Sequence, residues 1–126
     1  MNGEHKKIIE EMEELIGRPL QKVDDIYSYK GKRGFEIENG DIVALRFETI
    51  NWESLFNRIS HLETLRYLDL SYHPFGYRSM IMPESIANLK NIEELNLSVN
   101  WLRMLPDSFG QLRNLKKLDL ELTHLG

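Results

Sequence analysis

The chain has 126 residues, 41% of them apolar and 29% charged, with a formal net charge of −4. That is the size and composition of one globular domain rather than of a disordered chain. The acidic balance speaks against nucleic acid, whose phosphates call for a clustered excess of Lys and Arg, and the absence of cysteine removes disulfides, thiolate metal sites and cysteine nucleophiles and suits a reducing compartment.

The first predicted element is an amphipathic helix over residues 4–16. Ile8, Met12, Leu15 and Ile16 form one stripe with Ile9 beside it and glutamates opposite, and Gly17 and Pro19 stop it. No unbroken apolar run occurs in this stretch, so neither a signal peptide nor a membrane anchor is expected and the expected location is cytoplasmic. Within residues 21–34, Ile26, Tyr27 and Tyr29 predict one more strand, and Gly31-Lys32-Arg33-Gly34 reads as a turn. Its basic centre suggests an anion contact, but the strand-loop-helix setting and terminal Lys-Ser/Thr of a phosphate loop are absent.

Residues 35–45 alternate around Asn39-Gly40, the strongest short-range hairpin signal. A plain two-residue turn would pair Phe35 and Ile37 with Ala44 and Ile42, away from the side of Leu45 and Phe47. A three-residue loop with Gly40 left-handed pairs Phe35 with Val43 on the core side, and this register is the expected one. The hairpin then covers the open edge of the strand that follows.

From Ile42 onward a block recurs. Ile42, Leu45, Phe47 and Trp52 occupy its positions 1, 4, 6 and 11, followed by Leu65, Leu68, Leu70 and Phe75, by Ile92, Leu95, Leu97 and Leu102, and by Leu115, Leu118, Leu120 and Leu125. The starts at 42, 65, 92 and 115 lie 23, 27 and 23 residues apart. A second trio repeats as Leu55, Ile59 and Leu62, as Met82, Ile86 and Leu89, and as Leu105, Phe109 and Leu112, with a four-residue insertion between Phe75 and Met82. Leucines two apart mark a short strand. Each unit is too short to bury its own apolar face, so neighbours must stack, with their strands parallel. The return is a helix over residues 52–60 capped by Asn51 in the first block, and a looser path in later blocks, where Pro83, Pro106 and Gly110 intervene.

Leu105-Pro106-Asp107-Ser108-Phe109-Gly110-Gln111-Leu112, running on through Leu115, Leu118 and Leu120, resembles the 23-residue intracellular type of leucine-rich repeat, and Met82-Pro83-Glu84-Ser85-Ile86-Ala87-Asn88-Leu89 is close to it. The likeness covers residues 42–126. It implies an α/β fold: a right-handed solenoid of about four repeats with a parallel sheet on its concave face, capped by the helix and hairpin of residues 1–41. It also implies a non-catalytic protein-interaction module. The bend asparagine usual in the family at block position 9 is matched by Asn100 alone, the other blocks having Ile50, His73 and Thr123.

Block positions 3, 5 and 7 point away from the core. They read Ala44, Arg46 and Glu48; Tyr67, Asp69 and Ser71; Glu94, Asn96 and Ser98; and Lys117, Asp119 and Glu121, with Tyr72 and Trp101 at one edge. Exposed aromatics beside Arg and Asp have the composition of a binding hot spot. The candidate partner-binding residues are therefore Arg46, Tyr67, Asp69, Tyr72, Glu94, Asn96, Trp101, Lys117 and Asp119. Leu118, Leu120, Leu122 and Leu125 would face beyond the last block, which makes a structural unit that dimerises through this end the alternative. His5, His61, His73 and His124 are scattered and read as surface histidines rather than metal ligands. No nucleophile elbow is present. The expectation is thus a protein partner, with no catalytic residues, cofactor, metal, nucleic acid or membrane.

Overall fold

A computed structural model describes residues 1–48, 52–70, 80–97 and 102–120, giving the backbone alone for residues 52–53, 80–81 and 102–104. In chain order its elements are α1 (Gly3–Ile16), β1 (Gln21–Val23), β2 (Gly34–Glu38), β3 (Asp41–Arg46), α2 (Trp52–Ile59), β4 (Tyr67–Asp69), β5 (Met80–Ile81), the 3-10 helix η1 (Glu84–Asn88), β6 (Glu94–Asn96), β7 (Leu102–Met104), the 3-10 helix η2 (Asp107–Gln111) and β8 (Lys117–Asp119). One six-stranded sheet runs in the order β1-β2-β3-β4-β6-β8, and β5 pairs with β7 in a small second sheet. All neighbours in the large sheet are parallel except β2 and β3.

The register follows the leucines. Leu45, Leu68, Leu95 and Leu118 lie side by side on β3, β4, β6 and β8. The backbone repeats with them. Leu62, Leu89 and Leu112 each donate to the residue three before, and Leu65, Ile92 and Leu115 donate in turn to those leucines. On the other side of the core, α1 packs on α2, α2 on η1 and η1 on η2. The 3-10 form follows from Pro83 and Pro106, which hold the extended entry to each segment. Met82, Ile86 and Leu89 fill the same core positions as Leu55, Ile59 and Leu62.

Helix α1 begins at Asn2, whose Oδ1 accepts from the amides of Glu4 and His5 at 2.9 and 3.4 Å, and ends at Gly17 in the left-handed conformation. Ile8, Ile9 and Met12 enter the core, with Leu15 and Ile16 packed against it. Asn2 also donates its amide to Gly40 O at 2.7 Å, and the Ile42 amide donates to His5 Nδ1 at 3.1 Å. His5 is thus 6% exposed and joins the helix to β3, which corrects the reading of it as a surface histidine.

Two further expectations need correction. The hairpin keeps a two-residue turn, with Asn39 and Gly40 both at positive φ, and Ile37 pairs with Ile42. The register then shifts so that Glu36 faces Ala44 and Phe35 faces Leu45, not Val43. Val43 is the extra residue of a bulge, which brings Phe35 to the core side without altering the turn. In residues 21–34 the strand is β1, next to β2, while Ile26, Tyr27 and Ser28 form a turn. The strand takes the residues just after α1 because β2 offers them a free edge, whereas Ile26 is buried and Tyr27 is 66% exposed.

Candidate functional site

Opposite the leucine row, the sheet carries two rungs of other side chains. Ala44, Tyr67, Glu94 and Lys117 form one, and Arg46, Asp69, Asn96 and Asp119 the other. The structure thus brings together seven of the nine proposed partner-binding residues. Tyr72 and Trp101 lie outside the described residues, as do Leu122 and Leu125. Leu118 and Leu120 are partly buried against the core.

The first strands of this face are not open. The segment of residues 24–33 folds across them, starting at Asp25, whose carboxylate accepts from Ser28 Oγ at 2.6 Å and from the Tyr27 amide at 3.0 Å. The bond from Ser28, ahead of that from Tyr27, holds the Asp25 carboxyl below its usual pKa. The Ile26 amide donates to Glu36 Oε1 at 2.8 Å. Arg46 fastens the rest. Its guanidinium donates to the carbonyls of Tyr29, Gly31 and Ile26 at 2.7, 3.1 and 3.1 Å and to Asp69 Oδ2 at 2.9 Å, and it lies 5.7 Å from the centre of the Tyr29 ring. Burial opposes this cation, yet the Tyr67 hydroxyl and the Asp69 carboxylate outweigh it and raise the Arg46 pKa above its ordinary value. Asp69 is itself only 6% exposed. Arg46 and Asp69 therefore hold the site together: on a bare sheet they would project outward, but the segment of residues 24–33 covers them.

Gly31-Lys32-Arg33-Gly34 is the turn that seats the Tyr29 ring. A Cβ at Gly31 would overlap the Tyr29 phenol, and one at Gly34 would come within 2.7 Å of Tyr29 Cε2. The Tyr29 hydroxyl donates to Arg33 O at 2.8 Å, and Arg33 Nη1 is 2.6 Å from Glu48 Oε1. The arginine of this turn's basic centre is thus engaged with a carboxylate of the same chain.

What remains exposed is centred on Tyr27, which sequence reasoning placed on a strand and did not count in the site. Its ring meets Tyr67 edge to face at 5.2 Å between centroids, and its hydroxyl donates to Glu94 Oε1 at 3.2 Å. Burial, then the charge of Glu94 and the bond to it, with smaller contributions from Tyr67 and Glu36, push the Tyr27 phenol up to about 12. The Tyr67 phenol is also raised, first by burial and then by Asp69, against the opposing pull of Arg46. A recess of about 190 Å³ opens here between Tyr27, Tyr67, Glu36, Arg66, Glu93 and Glu94.

A second feature absent from the sequence reading stands at the start of the strands. Asn91 Nδ2 donates to Glu63 O at 2.6 Å, and Asn114 Nδ2 donates to Lys90 O at 2.8 Å. Both asparagines directly precede a block start, and their 23-residue spacing is the signal that could have found them. They are cross-braces between consecutive strand entries, and Thr64 Oγ1, donating to Ile42 O at 2.7 Å, is the counterpart one block earlier.

Among the described residues, no three His, Asp or Glu side chains converge as metal ligands, and no helix is long and apolar enough to cross a membrane. Compared with known families, the chain matches the Leucine Rich Repeat over residues 91–112, which spans the Asn91 brace, β6, β7 and η2. No curated protein matches the chain.

Proposed function

We propose that the chain is a short right-handed solenoid, with coils starting at residues 42, 65, 92 and 115 and residues 1–41 as its cap, and that it holds a protein partner against the outer, concave face of its sheet. The observation that carries this reading is the Leucine Rich Repeat match together with the two side-chain rungs opposite the leucine row. Repeats of this family generally mediate protein–protein interaction and are typically non-enzymatic, and stacked repeats create extended surfaces for that purpose. The contacting residues in this reading are Tyr67, Glu94, Asn96, Lys117 and Asp119, with Tyr72 and Trp101 at the edge, while Arg46 and Asp69 stiffen the platform.

The test is photo-cross-linking with the probe placed at Lys117 on the outer face or at Glu84 on the opposite side. A partner trapped from Lys117 and not from Glu84, and lost with Tyr67→Ala, is expected. Equal trapping from both positions would overturn the reading. Trp101→Ala is expected to weaken the trapped partner's binding by about 2 kcal/mol while leaving the urea midpoint nearly unchanged.

A second reading is a structural unit that pairs with its own copy through Leu118, Leu120, Leu122 and Leu125. It is favoured by the partial exposure of Leu118 and Leu120, at positions where Leu68, Leu70, Leu95 and Leu97 are buried. Sedimentation decides: a chain still monomeric at about 50 μM, well above the dissociation constant of a specific dimer, removes it.

A further inference from the structure

We infer that the recess beside Tyr27 receives the guanidinium of an arginine side chain presented by the protein partner, an inference that rests on the reading of this face as the partner surface. On one rung, Glu36, Ala44, Tyr67 and Glu94 stand in a row on β2, β3, β4 and β6. Ala44 is the small member of that row, and the turn carrying Ile26 and Tyr27 bends over it. The result is an aromatic pair in the wall of a recess that also holds three carboxylates, those of Glu36, Glu93 and Glu94. Arg66 is the one cation among the lining residues, and its guanidinium is paired with Glu38 outside the recess.

An exposed ring beside carboxylates complements a flat, delocalised cation, which stacks on the ring face while its in-plane N–H groups bond to oxygen. A lysine ammonium gains the charge attraction without the stacking. The molecule already contains this arrangement: Arg46 lies over Tyr29 while it donates to Asp69. Tyr27, Tyr67 and Glu94 offer the same groups with the Tyr27 ring turned to solvent. The Tyr27 phenol is raised first by burial and then by the charge of Glu94, the carboxylate nearest its hydroxyl.

The experiment titrates the whole chain with acetyl-Gly-Arg-Gly-Arg-Gly-amide, the matched lysine peptide and the matched citrulline peptide, which is neutral, and follows amide shifts by two-dimensional NMR. The expected result is saturable shifts centred on Tyr27, Tyr67 and Glu94 with the arginine peptide, about fivefold weaker binding of the lysine peptide and at least about tenfold weaker binding of the citrulline one. Tyr27→Ala and Glu94→Gln should each weaken the arginine peptide about fivefold while the remaining amide pattern stays in place. Unsaturable shifts, shifts spread over all acidic residues, or binding indifferent to Tyr27→Ala would overturn the inference. Should the arginine peptide fail while Lys117 still traps a partner, the inference falls and the outer-face reading stands. Failure of both removes both.

Discussion

The blocks that begin at residues 65 and 115 are built alike and buried unequally. Leu65 and Leu115 make the same backbone bond to the leucine three before, and Arg66 and Lys116 each donate to the carbonyl one strand back. Yet Leu68 is 0% exposed and Leu118 only partly buried. Leu68 lies between Leu45 and Leu95, whereas among the described residues Leu118 has a registered neighbour on one side alone. The block thus determines the path of the backbone, and the elements on either side determine what that path is worth.

The largest expected contrast comes from the leucine row. Leu95→Ala removes a fully enclosed side chain and should cost about 2–5 kcal/mol, against about 1 kcal/mol for Leu118→Ala, as read from urea unfolding midpoints. Equal losses would mean that the burial of these two neighbouring leucines does not differ in solution. Next come the ion pairs. Arg46→Met removes the guanidinium from three loop carbonyls and from Asp69, which keeps the bond from the Tyr67 hydroxyl, and should cost about 2–3 kcal/mol. Lys116→Ala breaks an exposed pair with Glu93 at 3.4 Å and should cost less than about 0.5 kcal/mol. The two braces offer a control in which no contrast is expected. Asn91→Ala and Asn114→Ala each remove one exposed bond to a carbonyl, so each should lose about 1 kcal/mol despite the difference in burial around them.

The same contrast explains what could be read in advance. Leucines two apart suffice to place β4, β6 and β8 in register, because a period-2 pattern in a stacked repeat has one way to bury its row. Asn39-Gly40 likewise places the hairpin turn, which is a local matter. The register beyond the turn is not local: the bulge at Val43 exists because Phe35 must reach the core while the two-residue turn is kept. His5 shows no sign of its burial, since its partner is an amide 37 residues away. The course of residues 24–33 depends on Arg46 reaching three carbonyls that no spacing announces. Arg46 and Asp69 were legible as neighbours on one rung, whereas the segment that lies over them was not.

The smallest effect concerns the phenol of Tyr27, and its sign can be worked out. A tyrosine in the unfolded chain loses its proton near pH 10, whereas in the folded chain this proton is held until about 12, owing first to burial and then to Glu94. The folded state therefore binds the proton more tightly, and the stability linked to it is fully present below pH 10 and lost as the pH rises through about 12. Because the Tyr67 phenol is raised as well, tyrosinate absorbance is read in a Tyr67→Phe background, where Tyr27 should give a late step and Glu94→Gln should move that step toward lower pH without bringing it wholly to 10, because burial persists. Lys117→Ala, on the same rung but beyond Glu94, should leave the step nearly where it was, since solvent screens so exposed a charge. A step unmoved by Glu94→Gln would show that the carboxylate does not reach the phenol, and the negative field at this end of the sheet would then have to come from elsewhere.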